Sequence, residues 1–290
     1  MPIREPATWQ RRPHQGTQFF RRFSFGDLAA LSVLDTRQNR SQQVPAVVGG
    51  AGNPALAAPT RHLPEPEQLA WLTSGLARSR KPWHLIGNQT VFTRVFAIPR
   101  AGALPGQVFN PDQWDGYQAD QRTLLEAMRT ATTDPVVLTG AIHSSWANDL
   151  PIDPDAYRAG QGSSAGVEFV CPSVTSDGFK EVLGSAAVAE ATTRAFQAAN
   201  PWVRYLEGIG HGFAVLDVTP ERVQTDFFFL RSGGDKGFAV DPRTDPAATA
   251  SYETSFVAVR GSRQVTGPVT QLGPRSDEPR TARRRAPRGS

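Results

Sequence analysis

Few residues in this chain have the right type and position for chemistry, and the most suggestive lie in Pro135-Val136-Val137-Leu138-Thr139-Gly140-Ala141-Ile142-His143-Ser144-Ser145-Trp146. A short β-branched run that ends in glycine is how a buried strand delivers polar groups to the rim of a sheet. His143 stands on that rim. Of the five histidines, His211 is the other that follows a glycine-flanked strand end, whereas His14 and His62 fall in irregular, solvated stretches. His84 sits inside an apolar run and is expected to be a satisfied core histidine. Hard oxygen and imidazole donors at strand ends suit cations that polarise phosphate and activate water. Asp112, Asp115, His143 and His211, with Asn88 as a neutral oxygen donor, have those donor types. Cap and turn roles for the same residues remain open.

Several chemistries are disfavoured. There is no Gly-x-Ser-x-Gly elbow, no phosphate-binding Walker loop and no dinucleotide fingerprint after a strand. Ser144 and Ser145 adjoin His143 in sequence, but neighbours on one exposed loop seldom form a triad. Cys171, the single cysteine, rules out an internal disulfide and a thiolate zinc cluster, and within an apolar run it is expected to be packed. Asp35 and Arg37 either line a site or form a salt-bridged loop, and the second is expected.

The elements that must position these groups alternate between helix and strand. Gln18 to Phe25 and Leu28 to Leu34 form a hairpin pattern around Gly26-Asp27. Pro64-Glu65-Pro66-Glu67 opens a helix with proline and acids at its positive end, and Leu69, Leu72 and Leu76 share one face. Trp83 to Gln89 follows as a core strand. A second amphipathic helix, Ala119 to Thr130, feeds the strand that ends at Gly140. This order predicts an α/β fold with parallel crossovers. Residues 148–163 read as a polar loop, Gly166 to Cys171 as a strand and Phe179 to Ala199 as largely helical. Val203 to Glu207, Phe213 to Val218, Val223 to Leu230 and Ser255 to Val259 read as late antiparallel strands.

The 290 residues carry a net charge of +4. Residues 261–290 alone hold a net +5, which leaves the rest near −1 and gives no basic body for nucleic acid. Three segments are expected: an irregular arm over 1–17, one large domain over 18–260 and a basic, disordered tail over 261–290. No apolar run approaches the roughly 20 residues of a membrane span, and no signal-peptide pattern is present. The compartment stays open.

Taken in order, Phe20-Arg21-Arg22-Phe23-Ser24-Phe25-Gly26-Asp27-Leu28, Leu34-Asp35-Thr36-Arg37 with Arg40, Gln68-Leu69-Ala70-Trp71-Leu72, Ile86-Gly87-Asn88-Gln89, Asp112-Gln113-Trp114-Asp115-Gly116-Tyr117, Leu138 to Trp146, Val167-Glu168-Phe169 and His211-Gly212-Phe213 resemble the PhoD-type alkaline phosphatase D family over roughly residues 18–230. The resemblance implies a calcineurin-like metallophosphoesterase fold, an αββα sandwich with mixed sheets, incomplete here at its N-terminal side. It implies hydrolysis of phosphate mono- and diesters at an iron and calcium site, in a family that is typically exported. Asp115, His143, His211 and Asn88 are the metal or phosphate contacts that it suggests, and His143 and His211 the residues nearest the chemistry.

Two departures shape the expectation. The chain is expected to begin inside the family's catalytic domain, so the early ligands must come from a missing N-terminal half or a protein partner. The family's rim motif, Gly-Asp-x-His, reads Gly140-Ala141-Ile142-His143, and alanine offers no donor. A phosphoesterase with an impaired metal site is therefore expected, and the alternative is a non-catalytic binding module on the same scaffold.

Overall fold

A computed structural model describes residues 11–12, 16–17, 19–99, 106–232 and 243–273. Two sheets form its centre. The larger takes β1 (Arg21–Phe25), β2 (Ala29–Val33), β3 (Trp83–Gly87), β4 (Asp134–Thr139), β5 (Ser145–Pro151), β6 (Ser164–Val170) and β7 (Val203–Glu207) in the spatial order β7-β5-β6-β4-β3-β2-β1. Its inner strands β6, β4, β3 and β2 run parallel, and β1, β5 and β7 are antiparallel to their neighbours. The smaller sheet is an antiparallel run of β8 (Gly212–Val218), β9 (Arg222–Arg231), β10 (Thr249–Val259) and β11 (Val265–Val269).

Strand alternation splits the apolar residues of the large sheet between two cores. Trp83, Leu85, Val136, Val167 and Phe169 face the smaller sheet and pack with Val223, Phe227, Phe256 and Val265. Ile86 and Val137 point the other way, onto α1 (Pro66–Arg78) and α2 (Gln118–Thr130). Leu69, Leu72 and Leu76 of α1 and Leu124 and Met128 of α2 are the buried apolar side chains that the helices bring there, as the 3.6-residue spacing requires. On the outer face of the smaller sheet Phe213 and Val215 are exposed, and the Phe213 ring stacks on Phe228 at 5.3 Å.

Four expectations need correction. The stretch 148–163 is not a polar loop: it contains most of β5, which begins at Ser145, and the short helix α3 (Pro154–Arg158). Its polarity is misleading because the polar groups of Asn148 and Asp149 are bonded internally, to Glu168 and to the Val265 N–H. The run from Phe179 to Ala199 is two helices, α4 (Phe179–Leu183) and α5 (Ala186–Ala199), broken where Gly184 adopts φ +73°. That left-handed conformation suits glycine alone at low cost, so Gly184→Ala is expected to lose about 1 kcal/mol in urea unfolding.

The segment assigned to the tail is structured as far as Gly273. β11 belongs to the smaller sheet, and the Arg263 guanidinium bonds carbonyls of α2 and the following turn. The basic run that follows lies outside the described residues, as do His14 and most of the expected arm, of which Arg11–Arg12 pairs with Gly16–Thr17. His62 is half-buried rather than solvated, because its Nδ1 meets Asp120 Oδ1 at 3.2 Å. Among the described residues no helix is long and apolar enough to cross a membrane.

Candidate functional site

The carboxyl ends of parallel strands meet at one rim of the large sheet, which is where open α/β sheets place their functional groups. From β4 the chain turns through Gly140 to Ser144. Ala141 and His143 both take positive φ, 63° and 59°, a conformation L-residues hold only when their surroundings enforce it. The His143 ring is held by its neighbour segment: Nδ1 donates to the Asp177 carbonyl at 2.7 Å. Nε2 is then the nitrogen with a free lone pair.

His211 reaches the same segment from the turn before β8. Its Nδ1 lies 3.4 Å from Ser173 Oγ and its Nε2 3.3 Å from Glu181 Oε1. The other Glu181 oxygen accepts the Gly178 N–H at 2.9 Å, which caps the start of α4. Burial pushes the Glu181 carboxyl up, but the Gly178 N–H, the Lys180 ammonium and His211 outweigh it and hold it down at about 2. The two histidines singled out from sequence are thus joined through residues 173–181. Glu181 was not among the expected residues. Its only signature is its place three residues after Gly178.

Asn88 and Asp115 are placed differently. The Asn88 amide donates to Thr139 Oγ1 at 3.0 Å and to the Thr90 carbonyl, and its oxygen accepts the Trp114 indole N–H at 3.1 Å. Asp115 is 1% exposed; its carboxylate accepts the Val95 N–H at 2.9 Å and pairs with Arg94 at 2.5 Å. Both secure the loop that leaves β3, and neither lines the cleft beside His143. That cleft, about 290 Å³, is bounded by Phe109, Gln113, Ala141, His143, Phe179 and Phe196, among others. Gln113 Oε1 is buried there without a hydrogen-bond partner.

Asp112 is engaged as well. It receives Arg37 at 2.8 Å and also Arg40, while Asp35 accepts the Arg37 and Gln38 N–H groups at 3.1 Å. The salt-bridged loop therefore runs through Asp112 rather than between Asp35 and Arg37. His84 is a core histidine, with Nε2 2.9 Å from Ser32 Oγ. Cys171 is half-buried and burial pushes its thiol up, toward the unreactive protonated form.

Beneath the rim lies a polar cluster that sequence reasoning missed. Glu168 of β6 is fully buried, yet it accepts four hydrogen bonds: Phe92 N–H at 2.7 Å, Thr93 N–H at 2.9 Å, Thr139 Oγ1 at 2.7 Å and Asn148 Nδ2 at 3.1 Å. One carboxyl group thereby fastens β4, β5 and the loop after β3 to the end of β6. A glutamate between Val167 and Phe169 was the available signal, since an acid in an otherwise apolar parallel strand must be compensated internally.

The donor set does not fit a closed metal site. His143 Nε2 is available, His211 and Asp115 are paired, the Asn88 oxygen is taken by Trp114, and Ala141 ends in a methyl. Among the described residues no three His, Cys, Asp or Glu side chains converge on one point.

Helices on one face of a mixed sheet and a second sheet on the other, with histidines at the carboxyl rim, define a layered α/β sandwich of the metallophosphoesterase kind. The comparisons narrow this further. The model of the PhoD-like phosphatase family matches residues 1–227, and the chain belongs to that family. It is 29% identical over 266 residues to "Alkaline phosphatase D" of Bacillus subtilis (strain 168), a match over 90% of this chain and 42% of that protein. A solved structure described as "Structure of PhoD" superposes with a TM-score of 0.71 at 25% identity, over 94% of this chain and 47% of the other. The chain thus spans less than half the length of the relatives it matches.

Proposed function

We propose that this chain carries the His143–His211 rim of a metal-dependent phosphoesterase acting on phosphate mono- and diesters, and that by itself it is weakly active or inactive. The observation that carries the proposal is the geometry of the β4 rim: His143 is presented at the carboxyl end of a parallel strand with Nε2 free, two residues from a methyl where the family resemblance implies a carboxylate. One imidazole is too little to hold a catalytic cation, so further ligands would have to join His143. Calcium and ferric iron are the ions to supply, on the same resemblance.

The test is hydrolysis of p-nitrophenyl phosphate and bis-p-nitrophenyl phosphate with both ions present. The chain is assayed alone and mixed with a polypeptide covering the N-terminal remainder of the family's length, as the parent and as Ala141→Asp. Aspartate tolerates the positive φ at 141 better than most residues. Little turnover by the parent alone is expected, with at least a tenfold rise for the mixed Ala141→Asp protein. Full activity of the unmixed parent would refute the impairment; none from the mixed variant would refute the site.

The engagement of Asn88, Asp115 and His211 in internal bonds favours a second reading, a non-catalytic module that binds phosphorylated or protein partners on this scaffold. Equilibrium dialysis separates the two. Calcium or iron retained stoichiometrically by the chain mixed with the N-terminal polypeptide argues for the phosphoesterase, and partner capture without metal argues for the module.

A further inference from the structure

At the opposite end of β3 from the rim, the edge of the large sheet and the end of α1 frame an open cavity of about 680 Å³. Among the described residues four cations line it, Arg22, Arg78, Arg80 and Lys81, with Asp27 the one carboxylate. Their observed partners are neutral. Arg80 bonds the carbonyls of Ala77 and Ser79 and the Thr132 hydroxyl, and Lys81 bonds Ser24 Oγ and the Gly26 carbonyl. Arg22 donates through Nε to Ser32 Oγ at 2.8 Å and through Nη2 to the Trp71 carbonyl at 3.1 Å, with its guanidinium 4.3 Å from the Trp71 ring centre. Burial, and then the charge of Arg78, lower the Arg22 pKa. These positive groups are therefore crowded together without matching negative charge.

The place of Arg22 is built into the fold. A Cβ on Gly75 would lie 1.9 Å from Arg22 Nη2. Glycine inside a helix costs roughly 0.5–1 kcal/mol relative to alanine, and here it makes room for the guanidinium.

His84, 0% exposed, closes the cavity floor. Ser32 Oγ accepts from Arg22 and lies 2.9 Å from His84 Nε2. With the Ser32 proton directed to Nε2, the neutral ring carries its hydrogen on Nδ1. Nδ1 is buried and has no hydrogen-bond partner among the described residues. Burial, then the Arg22 charge, hold the ring neutral, with its pKa lowered to about 4. The cavity thus offers guanidinium, ammonium and imidazole donors around one carboxylate.

We propose that this cavity is an oxyanion site that takes inorganic phosphate or pyrophosphate, with Arg22 as its fixed anchor, Arg78, Arg80 and Lys81 as its outer cations and His84 Nδ1–H as a donor from the floor. Guanidinium groups match phosphate oxygens with paired hydrogen bonds, and the unprotonated oxygens of the anion can accept from a buried donor that has no other partner. The site does not rest on the phosphoesterase reading. It lies at the amino end of β3, about 13 Å along the strand from Asn88 at ~3.3 Å per residue.

Titration calorimetry with phosphate and pyrophosphate, paired with NMR of the histidine side chains, tests the proposal on the full chain. Binding is expected to move the His84 imidazole resonances. It should weaken at least tenfold in Arg78→Gln/Arg80→Gln, whose positions are exposed, and in Gly75→Ala, which displaces Arg22 and keeps its charge. Chloride at equal ionic strength should leave His84 unmoved. An absent His84 response, undiminished affinity in both variants, or an equal response to chloride would overturn it, whatever the outcome of the phosphatase assay.

Discussion

Glu168→Ala is expected to unfold in urea with about 4 kcal/mol less free energy than the parent, on the basis of roughly 1 kcal/mol for each of four lost hydrogen bonds. The variant leaves the Phe92 and Thr93 amides, the Thr139 hydroxyl and the Asn148 amide facing a buried space without an acceptor. Glu168→Gln should fall between the two, because its amide keeps one acceptor oxygen and turns donors toward donors on the other side. The loop from Gln89 to Val95 should lose amide-exchange protection first in both variants, since its anchor is gone while β3 and β4 keep their ladder. A loss below about 1 kcal/mol for Glu168→Ala would show that water or repacking replaces the carboxyl, and that the rim does not depend on it.

The buried carboxyls are also expected to contribute a share of stability that falls as the solution passes from mildly acidic to neutral. Burial raises the carboxyl pKa values of Asp115, Asp120, Asp149, Glu168 and Glu207, and in each case this outweighs the hydrogen bonds and charges that favour ionisation. A carboxyl whose folded pKa lies above its unfolded one binds more protons in the folded state. Folding stability is then highest below the unfolded pKa and declines until the pH exceeds the folded pKa.

For Asp115 the window runs from 3.8 to about 6, and the decline across it amounts to about 3 kcal/mol. Asp112 and Glu181, with lowered pKa values, have the opposite sign, and their stabilisation is lost only as pH falls below the ordinary carboxylate range. His84, lowered to about 4 by burial and then the Arg22 charge, also has the opposite sign, and its share of stability rises from about pH 4 to 6.5. Urea unfolding at pH 4.5, 6 and 8 checks the slope. Asp115→Asn should flatten its share by leaving nothing to titrate at that position. A parent-minus-Asp115→Asn stability difference that rises between pH 4.5 and 8 would contradict the expected sign.

These expectations depend on buried polar contacts, which are the least visible features of a sequence. The α/β order was legible because apolar spacing changes between helix and strand: Leu69, Leu72 and Leu76 repeat every three or four residues, and Val136 and Val137 lie on opposite faces of a buried strand. His143 was legible as a rim residue because glycine ends that strand. By contrast, residues 148–163 read as a loop, since Asn148 and Asp149 look solvated unless their partners Glu168 and Val265 are known. Those partners lie 20 and 116 residues away in the chain, so no local pattern discloses them.

The candidate site divides in the same manner. By itself the sequence determined the donor types, the glycine-terminated strand that presents His143 and the methyl at position 141, because these are properties of single residues and short runs. Tertiary structure alone decided which donors are free. Asn88 and Asp115 are consumed by Trp114 and Arg94, His211 is drawn to Glu181, and Arg22 is set against Gly75 above a neutral His84. A side chain's chemistry depends on whether its lone pairs and protons already have partners, and folding distributes those partners across the whole chain.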